Sequence, residues 1–191
     1  MRAAACLLLL MSLNQYLSAQ PHPSAPAKQV TLRNAHLTDQ VRKDIYTIAL
    51  GEMRDGSDES DAARLEEMAW NLSVSFLKLG KDGSLSILLE GDVDNPLSGV
   101  NANGNNPAWL FRPVGDHAVL VFYNVGQGVA VEPTFHHGMR DISTVERIGR
   151  SMDFSGEVDE FDGKTYNRAY CFEIGVDEKG KDTKSPRHHC P

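Results

Sequence analysis

The sequence has few basic residues and no cluster of them. It contains 19 Lys and Arg against 26 Asp and Glu, which gives a formal net charge of -7 at pH 7. Proteins that bind nucleic acid or anionic membranes do so mainly through grouped Lys and Arg side chains. The acidic balance therefore argues against nucleic acid as a partner.

Long apolar runs are also scarce. The run that follows Arg2 near the N-terminus is too short to span a bilayer permanently. A short positive start, an apolar run of this length and a small residue at Ala19 are typical of a signal peptide. We predict that residues 1–19 are a signal peptide, and that its removal leaves a periplasmic or secreted protein with no stable membrane span.

Cysteine is rare, since the whole chain contains three. Cys6 lies in the predicted signal peptide, so that only Cys171 and Cys190 remain after cleavage. Two cysteines in an exported chain most often form a disulfide, and two free thiols are the alternative. The bond would hold a polar C-terminal tail, residues 175–191, against the last strand.

The rest of the composition is that of an ordinary globular protein, with 41% hydrophobic and 24% charged residues. Three prolines within residues 20–30 predict a flexible lead-in. The remaining length suits one compact core. We therefore predict a single α+β domain over residues 31–174.

Two helices are predicted on the N-terminal side of this domain. Apolar residues at helical spacing, with Thr38 as N-cap and Asp39 in the first turn, predict a helix over about 38–53. After a polar break, the composition of residues 61–69 favours a second, short helix. The apolar positions of the first helix are Leu37, Val41, Ile45 and Ile48.

Alternating apolar and polar residues then predict strands. Two such runs, 72–79 and 85–89, flank a Gly-containing turn and predict a hairpin. The later connections are too short for crossover helices, so the strands should be mostly antiparallel. The predicted fold is one or two N-terminal helices packed on a mostly antiparallel β-meander. Further strands are predicted at 108–112, 118–124, 128–132, 141–147, 156–161 and 165–174.

Four motifs in residues 72–172 carry a resemblance to other proteins. They are Asp82-Gly83 before the run Leu85–Leu89, the loop 98–107 leading into Trp109-Leu110-Phe111-Arg112, the strand start Gly138-Met139-Arg140-Asp141-Ile142, and Phe161-Asp162-Gly163-Lys164-Thr165-Tyr166. In this set of motifs the chain resembles a group of uncharacterised exported bacterial proteins from acidobacteria and other Gram-negative lineages. Ser98 and Asn106 stand where such proteins have loop cysteines. The resemblance implies export and a similar fold, and it implies no activity.

The connection between residues 91 and 106 is rich in oxygen-bearing side chains. Asp92, Asp94, Asn101 and Asn103 are the kind of ligands that calcium binds. The spacing is not that of an EF-hand, since the glycine and glutamate that such a loop needs are missing. An ordinary long loop, a calcium site and a recognition loop are the alternatives. We predict a binding surface here that extends onto Trp109 and Arg112 in the strand that follows.

His137 and Asp141 are further candidates, because a histidine oriented by a carboxylate can act as a base. No Gly-x-Ser-x-Gly elbow or reactive cysteine accompanies them, so a turn histidine is the simpler interpretation. Alternation predicts Glu157 and Asp159 on one face of a solvated strand and Glu160 on the other, with an acidic patch for a basic partner as the alternative. His188 and His189 beside Cys190 could hold zinc or copper, but the disulfide explains Cys190 better.

No assembled catalytic set, cofactor motif or metal motif is predicted. The function that we predict is a non-enzymatic binding or inhibitor-like domain that acts in the periplasm or outside the cell on a protein or glycan of the cell envelope. A small envelope hydrolase that uses His137 and nearby carboxylates is one alternative, and a calcium-stabilised structural module is the other.

Overall fold

The computed structural model describes residues 30–55, 62–91, 104–148, 154–176 and 182–191. The predicted signal peptide and residues 20–29 of the lead-in lie outside the described residues. No helix in the described ranges is both long and apolar enough to cross a membrane.

Both predicted helices are confirmed. Helix α1 spans Asp39–Asp55 and helix α2 spans Ala62–Asn71. The hydroxyl of Thr38 accepts a hydrogen bond from the backbone N–H of Val41 at 3.3 Å, so Thr38 is the N-cap of α1 as predicted. The two helices are held together by stacked aromatic rings, Tyr46 on Trp70, with centroids 4.2 Å apart.

The strands are antiparallel, as predicted, but they form two sheets and not a single meander. Sheet A has four strands in the order β1-β2-β3-β4, and sheet B has six strands, with the path β10-β8-β7-β6-β5 and β9 also paired to β8. The strands are β1 Ser73–Lys78, β2 Leu85–Glu90, β3 Asn106–Val114, β4 His117–Gly126, β5 Val129–His136, β6 Met139–Arg147, β7 Phe154–Phe161, β8 Tyr166–Val176, β9 Asp182–Lys184 and β10 His188–His189.

The molecule has three layers, with sheet A in the middle. On one face of sheet A, apolar side chains pack against α1. On the other face, a second apolar set packs against sheet B. A layer covered on both sides needs apolar residues in succession, and β3 supplies them with four consecutive buried residues from Ala108 to Phe111. The first core includes Ile45, Ala49, Ile87, Leu89, Trp109 and Phe111, and the second includes Leu88, Leu110, Phe122, Ile142 and Phe161.

The change from sheet A to sheet B occurs at Gly126, where β4 ends. A Cβ atom at this position would lie 2.7 Å from the backbone oxygen of Val145 in β6, which is closer than real Cβ contacts. Only glycine therefore lets the two sheets approach here. The backbone N–H of Gln127 donates to the same Val145 oxygen at 2.7 Å, which fixes the point where the chain changes sheets.

The two ends of the layered sheets differ in their connections. At one end, which we call the turn end, the strands are joined by the short segments 79–84, 115–116, 137–138 and 162–165. Backbone hydrogen bonds between Lys81 and Gly138 and between Arg140 and Leu79, both 2.8 Å, tie the turns of the two sheets together. At the opposite end, the loop end, lie the connections β2–β3, β4–β5, β6–β7 and β8–β9.

Candidate functional site

Three neighbouring strands bring titratable side chains together at the turn end of sheet B. His136 is the last residue of β5, Asp141 is near the start of β6, and Glu160 is near the end of β7. The nitrogen and oxygen atoms that they offer lie within 4.8 Å of one another, so this group can hold a metal ion. We call these three residues the His136 cluster.

An irregularity in β5 makes this grouping possible. Val131 pairs with Ile142 and Phe135 pairs with Arg140, so the register of β5 and β6 shifts between these pairs. Three residues of β5, 132–134, therefore lie opposite the single residue Asp141 of β6. Pro133 lies in this segment and cannot donate a ladder hydrogen bond, which fits an irregular edge strand. As a result both Thr134 and His136 reach the same carboxylate.

Asp141 is held firmly by these neighbours. Its side chain is buried, and its Oδ2 accepts a hydrogen bond from the hydroxyl of Thr134. Its Oδ1 lies 2.8 Å from Nδ1 of His136. The hydroxyl of Tyr166 donates to the backbone oxygen of Arg140 at 2.8 Å, which fixes the adjacent peptide. The carboxylate is therefore preorganised by packing and hydrogen bonds.

The imidazole of His136 lies between two carboxylates. Its Nε2 is 3.7 Å from Oε1 of Glu160, on the side opposite Asp141. The hydrogen bond to Asp141 is the largest influence on its pKa, and the charges of Asp141 and Glu160 act in the same direction, so the pKa of His136 is raised despite some burial. Because Asp141 accepts at Nδ1, the other ring nitrogen is the one free to act on a ligand.

His137 is a turn residue, as the simpler interpretation of the sequence predicted, and the alternative pairing with Asp141 is made by His136 instead. His137 and Gly138 form the two-residue turn between β5 and β6, and both have positive φ angles, 46° and 83°. Backbone hydrogen bonds from Thr165 and Lys164 are the main cause that lowers the pKa of Asp162, and His137 makes a smaller contribution in the same direction. Recognising the His-Gly pair as a hairpin turn would have placed His136 on the strand, facing Asp141.

Nucleophilic hydrolysis would need a hydroxyl or thiol beside the free nitrogen of His136. In the described part of the chain, Nε2 faces Glu160, and the hydroxyl of Thr134 is committed to Asp141. Among the described residues, the imidazole of His136 therefore pairs with carboxylates on both sides.

The acidic run of β7 is not the solvated strand that the sequence predicted. Glu157 and Asp159 do share one face, and Glu160 lies on the other, but the first face is turned toward sheet A. Asp159 pairs with Ile142, a residue of the core between the sheets. Glu157 forms an ion pair with Arg168 and accepts a hydrogen bond from Asn124 of β4.

Asp159 has an unusual environment as a consequence. Only 4% of its surface is exposed, and its Oδ2 has no hydrogen-bond partner among the described residues. Burial is the main cause that raises its pKa from 3.8 to about 7; the charge of Glu157 adds to the rise and Arg168 opposes it. Glu157 and Arg168, whose charges act on Asp159, help to line a small polar cavity of about 120 Å³, together with Asn124, Thr144, Glu146, Ser155, Gly156 and Cys171.

This environment predicts that Asp159→Asn removes a pH dependence of stability. Because the folded-state pKa lies above the unfolded-state value, the folded chain holds the proton more tightly, and stability falls as the pH rises from about 4 to about 7. We expect the asparagine variant to lack this loss and to be more stable than the wild type at pH 8, by on the order of 1–3 kcal/mol. Urea unfolding in EDTA-containing buffer from pH 4 to pH 8 measures the difference.

The control for this prediction is Asp116→Asn, since Asp116 is exposed in the β3–β4 turn. It should leave the pH profile of the wild type unchanged. An asparagine variant at position 159 that is less stable than the wild type at pH 8 would show that the charge of Asp159 is stabilising, and the interpretation would be wrong.

Of the other predicted site residues, the structure describes Trp109 and Arg112. Trp109 is fully buried under α1, where it stacks on Tyr123 with centroids 5.4 Å apart, so it cannot contact a partner as predicted. Arg112 lies between the sheets, with its guanidinium 5.7 Å from the ring centre of Phe161. Asp92, Asp94, Asn101 and Asn103 lie outside the described residues, so the calcium alternative stays a prediction.

The predicted cysteine pair is present as a disulfide between Cys171 and Cys190, with an S–S distance of 2.06 Å. The bond lies where β10 pairs with β8, and β9 also pairs with β8. Part of the predicted polar tail therefore extends sheet B. The ring of His189 lies against that of Tyr170, with centroids 4.9 Å apart and planes inclined by 31°.

A groove lies at the loop end of sheet B. It has a volume of about 490 Å³ and is formed by the end of β6, the start of β7 and the β8–β9 hairpin. Ile148, at its rim, is 51% exposed. The residues that line the groove are Ile148, Phe154, Glu173, Ile174, Gly175, Thr183, Lys184 and Ser185.

Comparison with known proteins adds no relative. No family model, no curated protein and no solved structure matches this chain.

Proposed function

We propose that this chain is an exported, non-enzymatic binding domain that contacts a protein or glycan of the cell envelope through its loop end. The observation that carries the proposal is the groove of about 490 Å³ at that end, beside the β6–β7 and β8–β9 connections. The signal peptide would deliver residues from 20 onward to the periplasm or the exterior.

The distribution of the connections supports this proposal. At the turn end, the strands are joined by tight turns that leave little surface for variation. At the loop end, the β2–β3 connection, between Glu90 and Asn106, is the longest of those between consecutive strands. Binding residues are often found on loops that a rigid scaffold presents from one end.

The groove has the mixed character of a recognition surface. Ile148, Phe154 and Ile174 supply apolar area, and Glu173, Thr183 and Lys184 supply charge and hydrogen-bonding capacity. Apolar walls with a few fixed polar groups are typical of ligand sites. The guanidinium of Arg147 lies 5.8 Å from the ring centre of Phe154, which limits the movement of that wall.

The base of the predicted recognition loop is rigid. Asn105, just before β3, is 1% exposed. Its Oδ1 accepts hydrogen bonds from the side chain of Gln127 at 2.7 Å and from the backbone N–H of Arg147 at 3.0 Å. These bonds join the start of β3 in sheet A to β6 in sheet B. A fixed base reduces the entropy lost when a loop engages a partner, and Asp92, Asp94, Asn101 and Asn103 are the residues that we propose to contact it.

The test is capture of an envelope component by the purified protein and by two matched variants. Ile148 at the loop end and Val114 at the turn end are 51% and 48% exposed, so glutamate at either position should be equally tolerated by the fold. We expect wild type and Val114→Glu to capture the same component from envelope and culture fractions, and Ile148→Glu to lose at least about tenfold in affinity.

Circular dichroism and urea unfolding of both variants serve as the folding control. If Ile148→Glu still captures the component as well as the wild type does, the binding surface lies elsewhere. The same follows if Val114→Glu loses as much affinity as Ile148→Glu. No reproducible capture by the wild type would count against a binding function altogether.

A further inference from the structure

We propose that the His136 cluster binds a divalent transition-metal ion, with Zn²⁺ as the best fit, between Nε2 of His136 and the carboxylate of Glu160. Asp141 holds the imidazole in position from the other side. The site lies at the turn end of the molecule, so it is independent of the binding function proposed for the loop end.

The orientation of the imidazole supports this assignment. Histidines that bind metals commonly donate their second ring N–H to a carboxylate, which fixes the tautomer and the ring plane. Here Nδ1 lies 2.8 Å from Oδ1 of Asp141, and Asp141 is itself buried and bonded to Thr134. Nε2 is therefore left as the ligand atom, and it faces Glu160.

The separation of the two ligand atoms fits a shared ion. Nitrogen and oxygen ligands lie about 2.0–2.2 Å from Zn²⁺, so two of them at a tetrahedral angle are about 3.4 Å apart. The observed distance from Nε2 to Oε1 of Glu160 is 3.7 Å. Both side chains are partly exposed, at 43% and 31%, so a small rotation closes the difference and water can fill the remaining positions.

The ligand types select the class of metal. Two carboxylates that face one imidazole favour a divalent cation by charge. The imidazole nitrogen favours zinc and its transition-metal neighbours over calcium and magnesium, which prefer oxygen ligands. Because the three side chains come from adjacent strands of one sheet, their positions are set before an ion arrives.

A second histidine–carboxylate pair in the same chain offers a control. Nδ1 of His117 lies 2.9 Å from Oδ2 of Asp44. That carboxylate is occupied by the backbone N–H of Ala118 and the side chain of Gln40. Within the described ranges no third histidine, cysteine or acidic ligand completes a metal-binding group there. The pair therefore should not bind zinc.

The test is calorimetric titration of the chelator-treated protein with Zn²⁺, followed by thermal unfolding with and without the ion. We expect the wild type to bind a single Zn²⁺ and to melt at a higher temperature with it. His136→Gln and Glu160→Gln should each weaken binding at least about tenfold, and Asp141→Asn should weaken it about 10–100-fold as a positioning residue. His117→Gln should bind like the wild type.

Replacement of zinc by Co²⁺ gives a spectroscopic readout, because the visible absorption of a bound cobalt ion should disappear in His136→Gln and persist in His117→Gln. Variants of His188 and His189 distinguish the cluster from the tail. Zinc binding that is lost in those tail variants, that survives in both His136→Gln and Glu160→Gln, or that is absent from the wild type would overturn the proposal.

Discussion

Replacing Trp109 with alanine is expected to lower the free energy of unfolding by about 3–5 kcal/mol. Trp109 lies in the central strand layer, is 0% exposed and packs with Leu89 and Phe111 beneath α1. The truncation removes an aromatic side chain from a core closed on both sides, so it leaves a cavity that the neighbouring layers cannot fill. Urea unfolding followed by circular dichroism measures the loss.

Two further variants show which part of Trp109 matters. The indole Nε1 has no hydrogen-bond partner among the described residues, so Trp109→Phe removes no hydrogen bond and should cost much less than alanine. Trp70, which is only partly buried and stacks on Tyr46, is the matched control, and Trp70→Ala should cost less than Trp109→Ala. Equal losses at the two tryptophans would contradict the central position of Trp109.

Trp109 was predicted to be part of a binding surface, but it lies in the core, and its neighbours in the sequence explain why. Aromatic residues at the end of a polar loop are reasonable candidates for recognition, but Ala108 to Phe111 is an uninterrupted apolar run. Such a run indicates a strand covered on both faces, whereas a half-exposed strand alternates. The run was a sufficient signal for burial, although it does not say what covers each face.

Local patterns predicted the elements well, since each depends on nearby residues. Thr38 at the start of α1 and the turn at Asp82-Gly83 act within a few residues of their own positions. The division into two sheets was not predictable in this way. The sequence around Gly126, between β4 and β5, is typical of a hairpin turn within one sheet. Only the contact of Gly126 with Val145, which is distant in sequence, shows that β5 belongs to the other sheet.

The candidate sites were harder to predict than the fold for the same reason. The alternation of side chains along β7 correctly predicted that Asp159 and Glu160 lie on opposite faces of the strand. It could not predict which of the two faces packs against sheet A. The face with Asp159 became buried, and the face with Glu160 joined His136 and Asp141. The packing of sheet B on sheet A decides the first outcome and the register of β5, β6 and β7 decides the second, so a single sequence carries little information about them.

Removing the disulfide is expected to destabilise the protein by about 3 kcal/mol, either by reduction or in the double variant Cys171→Ser/Cys190→Ser. The bond joins residues 19 positions apart, and closing a loop of this size restricts the unfolded chain by about that amount. It also holds β10 on the edge of β8, where the ladder is only two residues long. Urea unfolding under oxidising and reducing conditions measures the loss, and titration of free thiols reports the state of the bond.

An ion pair near the disulfide lets the contribution of the covalent bond to stability be distinguished from that of the other contacts of the C-terminal tail. Arg187, just before β10, lies 2.8 Å from Glu132 of β5, although β10 and β5 are the two ends of the strand path of sheet B. Four strand spacings of about 4.8 Å would keep them far apart in a flat sheet, so sheet B is curled and the tail helps to close it. Arg187→Gln should cost no more than about 1 kcal/mol, because the pair is partly exposed. A loss on reduction no larger than that of Arg187→Gln would mean that the covalent bond adds nothing beyond the tail contacts, and the expected contribution of loop closure would be wrong.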